Sequence, residues 1–174
     1  MRLSIRLLVA SVLVALFGSL SLTASAADTR TTIVNAANGE VGQQETPPGS
    51  NCNPYGPCEA WCAHFATWTW RQAGIDIPNY GFTGDIYTWG QGKGRTHDGD
   101  TGMQPGDIVL YGTGPDNTDT SVHTGVVVAV GTDGKITTVE GNSNNQVSKH
   151  GPFDPTHAAA AGRPADIYAW VSAV

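Results

Sequence analysis

The sequence predicts an α+β fold in which helices come first and an antiparallel sheet follows. Three observations carry this. One long amphipathic pattern lies in the first half, over Cys58–Gly74. Short strand-like runs separated by turn residues fill the chain from Met103 onward. The two kinds of element are segregated rather than alternating, which argues against a parallel βαβ sheet.

The first 26 residues read as a secretory leader. Arg2 and Arg6 give a positive start, Leu7 to Leu22 is apolar, and Ala24-Ser25-Ala26 has the small-x-small form of a cleavage site. The remainder, 27–174, fits one domain. No cysteine adjoins the cleavage site and no later stretch is long and apolar enough for a membrane span, so the expectation is a secreted protein without a membrane anchor.

Thr29 to Asn38 reads as a short helix with Ile33, Val34 and Ala37 on one side and Gly39 as its stop. Gly42 to Pro57 is rich in Gly, Pro, Asn and Gln and reads as a loop. The central helix follows, ended by Gly74 with Pro78 beyond. Trp61, Phe65 and Trp68 form a bulky stripe on it; Cys62, Ala66, Thr69 and Ala73 form a narrow stripe of small residues beside it. Asp85 to Trp89 reads as one helical turn and Gly90 to Gly94 as a mobile loop. The aromatics Tyr80, Phe82, Tyr87 and Trp89 serve either as core or as the wall of a cleft.

After the Gln104-Pro105-Gly106-Asp107 turn, Ile108–Tyr111 is a strand, Gly112–Ser121 a polar loop and Val122–Val130 a strand. Thr132-Asp133-Gly134-Lys135 is a hairpin turn and Ile136–Glu140 the return strand. Gln146–Phe153 and Ile167–Val171 add two more.

The charge, −6 from 9 Lys+Arg and 15 Asp+Glu, has no basic stripe, so nucleic acid is excluded as a partner. Loss of Arg2 and Arg6 with the leader makes the protein more acidic still. Zinc-type spacings such as C-x-x-C and H-E-x-x-H are absent, and no cofactor is expected. Asn51, Asn53 and Glu59 supply too few carboxylates for a persuasive calcium site.

Three cysteines leave one odd. Cys52 and Cys58 flank a turn-rich loop and make the natural disulfide, worth roughly 2 kcal/mol by loop entropy. Cys62 is then the free thiol. Taken from the helix alone, a structural cysteine is the commoner case. Against that, Cys62 lies in the first helical turn, where unpaired N–H groups and the dipole favour a negative charge such as a thiolate.

Along Val122–Val130, one face carries Val122, Thr124, Val126, Val128 and Val130; the other carries His123, Gly125, Val127 and Ala129. The second face, small around a histidine, is the expected seat for the narrow stripe of the helix, which brings His123 to Cys62. A two-residue Asp133-Gly134 turn places Glu140 opposite Val127 and Asn142 opposite Gly125, both on the His123 side. Cys62, His123, Glu140 and Asn142 are thus the candidate catalytic set: nucleophile, base and orienting groups. His64 is turned away from Cys62, and His97, His150 and His157 are expected to face solvent.

Four segments carry a resemblance: Glu59-Ala60-Trp61-Cys62-Ala63-His64-Phe65, Gln104-Pro105-Gly106-Asp107-Ile108-Val109, His123-Thr124-Gly125-Val126-Val127, and Val139-Glu140-Gly141-Asn142. In this order they resemble the CHAP family of cysteine, histidine-dependent amidohydrolases/peptidases, over Thr29 to the C-terminus. The resemblance implies a papain-like α+β fold and hydrolysis of peptidoglycan amide bonds, as N-acetylmuramoyl-L-alanine amidase or as endopeptidase of the stem peptide or cross-bridge. It implies Cys62 as nucleophile, His123 as base, Glu140 as orienting carboxylate and Asn142 as polar support. Many relatives carry Asp where this chain has His64. The expected enzyme is a monomer whose partner is its peptidoglycan substrate. The rivals are a non-catalytic secreted peptide- or wall-binding domain and an exported effector of the same fold.

Overall fold

A computed structural model describes residues 25–174. The expected leader lies outside the described residues apart from Ser25 and Ala26, which open the described part of helix α1, 25–39. This helix extends beyond the expected Thr29–Asn38 on both sides. Ile33 and Ala37 point from it into the core.

Helix α2 spans Cys62–Gln72. It starts four residues later than the periodicity suggests, because Cys58 is tied to Cys52 by a disulfide and belongs to the preceding loop. Helix α3 spans Thr83–Lys93 and runs through the glycines expected to be mobile. A Cβ on Gly90 would meet Thr96 Oγ1 at 2.4 Å and Val171 Cγ1 at 2.7 Å. The glycine therefore permits close helix–sheet approach there. Gly94, at φ 66°, ends the helix in a left-handed cap.

Six strands follow: β1 Thr96–Asp98, β2 Ile108–Gly112, β3 Ser121–Val130, β4 Ile136–Glu140, β5 Ser148–Phe153 and β6 Ile167–Val171. The short β1 has no counterpart in the sequence reading. All pair antiparallel in one sheet of order β1-β6-β2-β3-β4-β5. This is the α+β arrangement the sequence predicts, three helices against one antiparallel sheet.

The seat of α2 differs from expectation. Ala63, Phe65, Ala66 and Trp70 join one cluster with Ile108, Leu110, Val126, Val128, Val139, Ala169 and Val171. The helix thus covers the branched face of β3, not the His123 face. At roughly 25 cal/mol per Å² of buried apolar area, the Val/Ile/Leu wall stabilises the contact more than a Gly/Ala surface would. The opposite face, with Val109, Tyr111, Val127, Ile136, Ile167 and Trp170, forms a second cluster that includes Phe153 and Ala158.

The hairpin register also differs. Gly131 N–H donates to Lys135 O, so the loop is Thr132-Asp133-Gly134, three residues with Gly134 at φ 81°. A bulge between Val127 and Ala129 then shifts the ladder once more, giving Val127↔Thr138 and Val126↔Val139. Two one-residue shifts make an even displacement. Glu140 therefore keeps the expected face but lies over Gly125 instead of Val127: a Cβ on Gly125 would be 2.8 Å from Glu140 Cγ. Asn142, expected opposite Gly125, lies past the end of β4 in a left-handed conformation, φ 54°.

Candidate active site

Cys62 is the first residue of α2, and its placement is fixed from the preceding loop. Trp61 Nε1–H donates to Glu45 Oε1 at 2.9 Å, and Asn51 N–H donates to Glu45 Oε2 at 3.0 Å. The Cys52–Cys58 disulfide closes the loop between. His64 is buried and faces away from Cys62; its ring nitrogens lie 2.9 Å from Asn79 Oδ1 and Glu59 Oε1. Cys62 is the free cysteine, 8% exposed. No side-chain cap serves the N-terminus of α2, so its first-turn N–H groups are unclaimed by capping.

His123 lies on the sheet face opposite α2, yet Cys62 is close enough to its ring to help hold the ring's proton. Strand ends make this contact possible. The pairing of β3 with β4 reaches only to Val126, while β3 continues back to Ser121. His123 therefore overhangs the end of β4. Just there Gly141 lets α2 come close, since a Cβ on it would meet Phe65 Cβ at 2.4 Å and Trp61 Cζ3 at 2.9 Å. Thiol and imidazole meet around this open end.

The second ring nitrogen, Nε2, donates to Glu140 Oε2 at 3.0 Å. Glu140 is fully buried, and both oxygens are doubly satisfied. Oε2 also accepts from Arg163 Nη1 at 2.9 Å. Oε1 accepts from Tyr111 O–H at 2.9 Å and Thr138 O–H at 2.7 Å. His150 Nε2 stands 3.8 Å from Oε2 and 2.9 Å from Ser143 Oγ. His150 thus belongs to the surroundings of Glu140 instead of facing solvent, because β5 pairs with β4 and sets it opposite Thr138.

Charge follows geometry here. Burial works against a charged His123, but the hydrogen bonds and negative charges of Cys62 and Glu140 outweigh it and raise the ring to about 10. Burial likewise favours a neutral Glu140, but His123, Thr138 and Arg163 pull the carboxyl down to about 2. Burial and the Glu140 charge push the Tyr111 phenol up, so it remains a donor. Burial lowers His150, which the Arg163 and His123 charges reinforce and the Glu140 charge opposes.

The structure brings together Cys62, His123 and Glu140. Asn142 is half-buried beyond them and makes no hydrogen bond to His123 or Glu140 in the described structure. Sequence reasoning missed Tyr111, Thr138, His150 and Arg163. Thr138 was accessible from alternation, two residues before Glu140, whereas Tyr111 joins the site through a β2–β3 register that no short turn sets. Arg163 lies in the loop before β6, where no local pattern marks it. Among the described residues no group of three or more His, Cys, Asp or Glu could hold a metal ion, and no helix is long and apolar enough to cross a membrane.

Comparison with known families decides the lineage. A family model described as the CHAP domain matches residues 53–142, just over half of the chain. The chain belongs to the CHAP family. The matched span is shorter than the resemblance from Thr29 to the C-terminus, yet it runs from the disulfide loop through Cys62, His123, Glu140 and Asn142. No curated protein matches the chain. Membership in the CHAP family points to peptidoglycan-hydrolase or amidase-type chemistry, of the kind that uses a cysteine and a histidine.

Proposed function

We propose that this CHAP protein is a secreted thiol hydrolase that cleaves peptidoglycan amide bonds, as an N-acetylmuramoyl-L-alanine amidase or as an endopeptidase of the stem peptide or cross-bridge. The observation that carries the reading is the unbroken contact chain from Cys62 through His123 to Glu140. A stabilised imidazolium favours a thiolate beside it, and that thiolate attacks the scissile carbonyl. The developing oxyanion rests on first-turn N–H groups of α2, including that of Cys62. Collapse of the tetrahedral intermediate breaks the C–N bond while His123 gives its proton to the departing amine. The neutral ring then removes a proton from water, which hydrolyses the thioester and regenerates the thiolate–imidazolium pair. Glu140 holds the ring in place and balances its charge through both halves. Asn142, beyond the triad, serves as polar support nearby. The acidic protein has no long-range attraction to an anionic wall, so affinity comes from the groove and not from steering.

The test is mass spectrometry of fragments released from purified peptidoglycan by the native protein and by Cys62→Ser. Oxygen replaces sulfur at nearly the same size, so the variant should fold and release nothing. New lactyl carboxylates with free alanine amino termini, or new peptide ends, released by the native protein alone support the reading. Equal fragment release by both proteins, or none by either alongside retained wall binding, overturns it in favour of another nucleophile or a binding domain.

A further inference from the structure

The Cys62–His123–Glu140 chain does not end at Glu140. Arg163 approaches the same oxygen that receives His123, with Nη1 at 2.9 Å from Oε2, and its side chain is 11% exposed. It lies outside the segment matched by the family model. The loop that delivers it is pinned at several points. Arg163 N–H donates to Ala158 O at 3.1 Å, Ala159 N–H donates to Asp166 Oδ1 at 2.9 Å, and Gly162 takes the left-handed turn at φ 83°. A guanidinium is thus aimed at a fully buried carboxylate by a tied loop.

Its partners show why a cation is needed at that point. Around Glu140 stand His123 on β3, Tyr111 on β2, Thr138 on β4, His150 on β5 and Arg163 on the loop, with Cys62 on α2 behind His123. The two hydroxyls are neutral donors, and burial leaves His150 disposed to be neutral. Arg163 is then the permanent positive charge in the group, since a guanidinium stays protonated throughout the working pH range. The carboxylate is thus set between two positive groups, the imidazolium and the guanidinium. Without the guanidinium, a buried carboxylate would lack one of its two charged donors and would take up a proton more readily.

We infer that Arg163 is a positioning residue: its guanidinium fixes the Glu140 carboxylate, and through it the His123 ring, against Cys62. The inference rests on the hydrolase reading only for its consequence in turnover; the contact chain itself is probed without substrate. Protonation of Glu140 would remove the acceptor for His123 Nε2–H and weaken the hold on the imidazolium. Arg163 thereby protects the acid side of the site's working range.

The experiment measures iodoacetamide alkylation of Cys62, the free thiol, from pH 4 to 9 in the disulfide-intact protein. Arg163→Gln keeps a polar side chain but no charge, and Arg163→Lys keeps the charge. Arg163→Gln should alkylate about tenfold more slowly than native at pH 5 and within threefold of native at pH 8. Arg163→Lys should recover most of the pH 5 rate. Thermal unfolding at both pH values separates this from loss of fold, and Arg163→Met serves in place of Arg163→Gln if the latter is unfolded. A neutral variant whose profile superimposes on the native one, even with a lower melting temperature, overturns the inference and leaves Arg163 as a structural ion pair. If native Cys62 shows the expected profile while peptidoglycan is not cut, the substrate assignment fails and the role of Arg163 stands.

Discussion

Replacing Glu140 by Gln tests the electrostatics of the site with the smallest change of shape. The amide can fit: its NH2 group can face Tyr111 and Thr138, whose hydroxyls turn to accept, and its carbonyl can face His123 and Arg163. What disappears is the negative charge. At the 3.0 Å separation of His123 Nε2 and Glu140 Oε2, an effective dielectric of about 20 gives an attraction of roughly 5 kcal/mol, an upper bound for delocalised charges. The retained neutral hydrogen bond returns about 1 kcal/mol. A loss of about 3–4 kcal/mol from the imidazolium corresponds to roughly two to three orders of magnitude in rate. Peptidoglycan turnover should therefore fall mainly in kcat, with KM little changed. Arg163 would lose its counter-charge, and a broken buried pair costs about 3–5 kcal/mol of stability. The assay therefore belongs well below the melting temperature of the variant. A Glu140→Gln enzyme within threefold of native kcat would refute the electrostatic account. A loss confined to KM would refute the assignment of Glu140 to His123 and not to substrate.

Four further outcomes follow from the same structure. With His123 held at about 10, kcat/KM should stay level through neutral pH and decline as pH rises through that value. Stability should follow: the raised His123 contributes fully below about 6.5 and is lost through about 10. The lowered Glu140 contributes above its ordinary 4.5 and is lost as pH falls towards about 2, which denaturant titrations across pH can follow. Gly125→Ala should slow turnover at least tenfold, because its Cβ would press on Glu140 Cγ at 2.8 Å with little room in a buried site; native-like kinetics would show that Glu140 yields freely. Thiol titration of unreduced, denatured protein should count one thiol, and reduction should count three while lowering stability by about 2 kcal/mol.

The elements with strong periodicity were legible: α2, the β3–β4 hairpin and the closing strand β6 lie close to where their patterns put them. Glu140 reached its expected face because parity, not register, decides which side a residue takes. A three-residue loop and a bulge, neither visible in a local pattern, cancelled. The seat of α2 was not legible from residue size alone. Small side chains on the helix suggested a small partner, but Phe65 and Trp70 needed the larger apolar wall. Helix α3 was broken too early in the sequence reading, since Gly90 acts there as a spacer against Val171 and only Gly94 as a stop. Arg163 and His150 could not be read ahead, because their meaning depends on which loop and which edge strand reach Glu140 in space.

Asp107 joins parts of the chain that are made at very different times. Its carboxylate accepts from Arg30 Nη1 on α1, from Gln104 N–H at 2.8 Å in the turn before β2, and from Ala173 N–H at 3.0 Å. The carboxylate is buried, and Ala173 is buried with it. During synthesis, residue 30 emerges long before residue 173, and until the latter arrives this buried acid lacks one of its three donors and β6 cannot fill the gap between β1 and β2. A chain cut back before Ile167 therefore loses both a donor to the buried acid and the strand that ties β1 to β2.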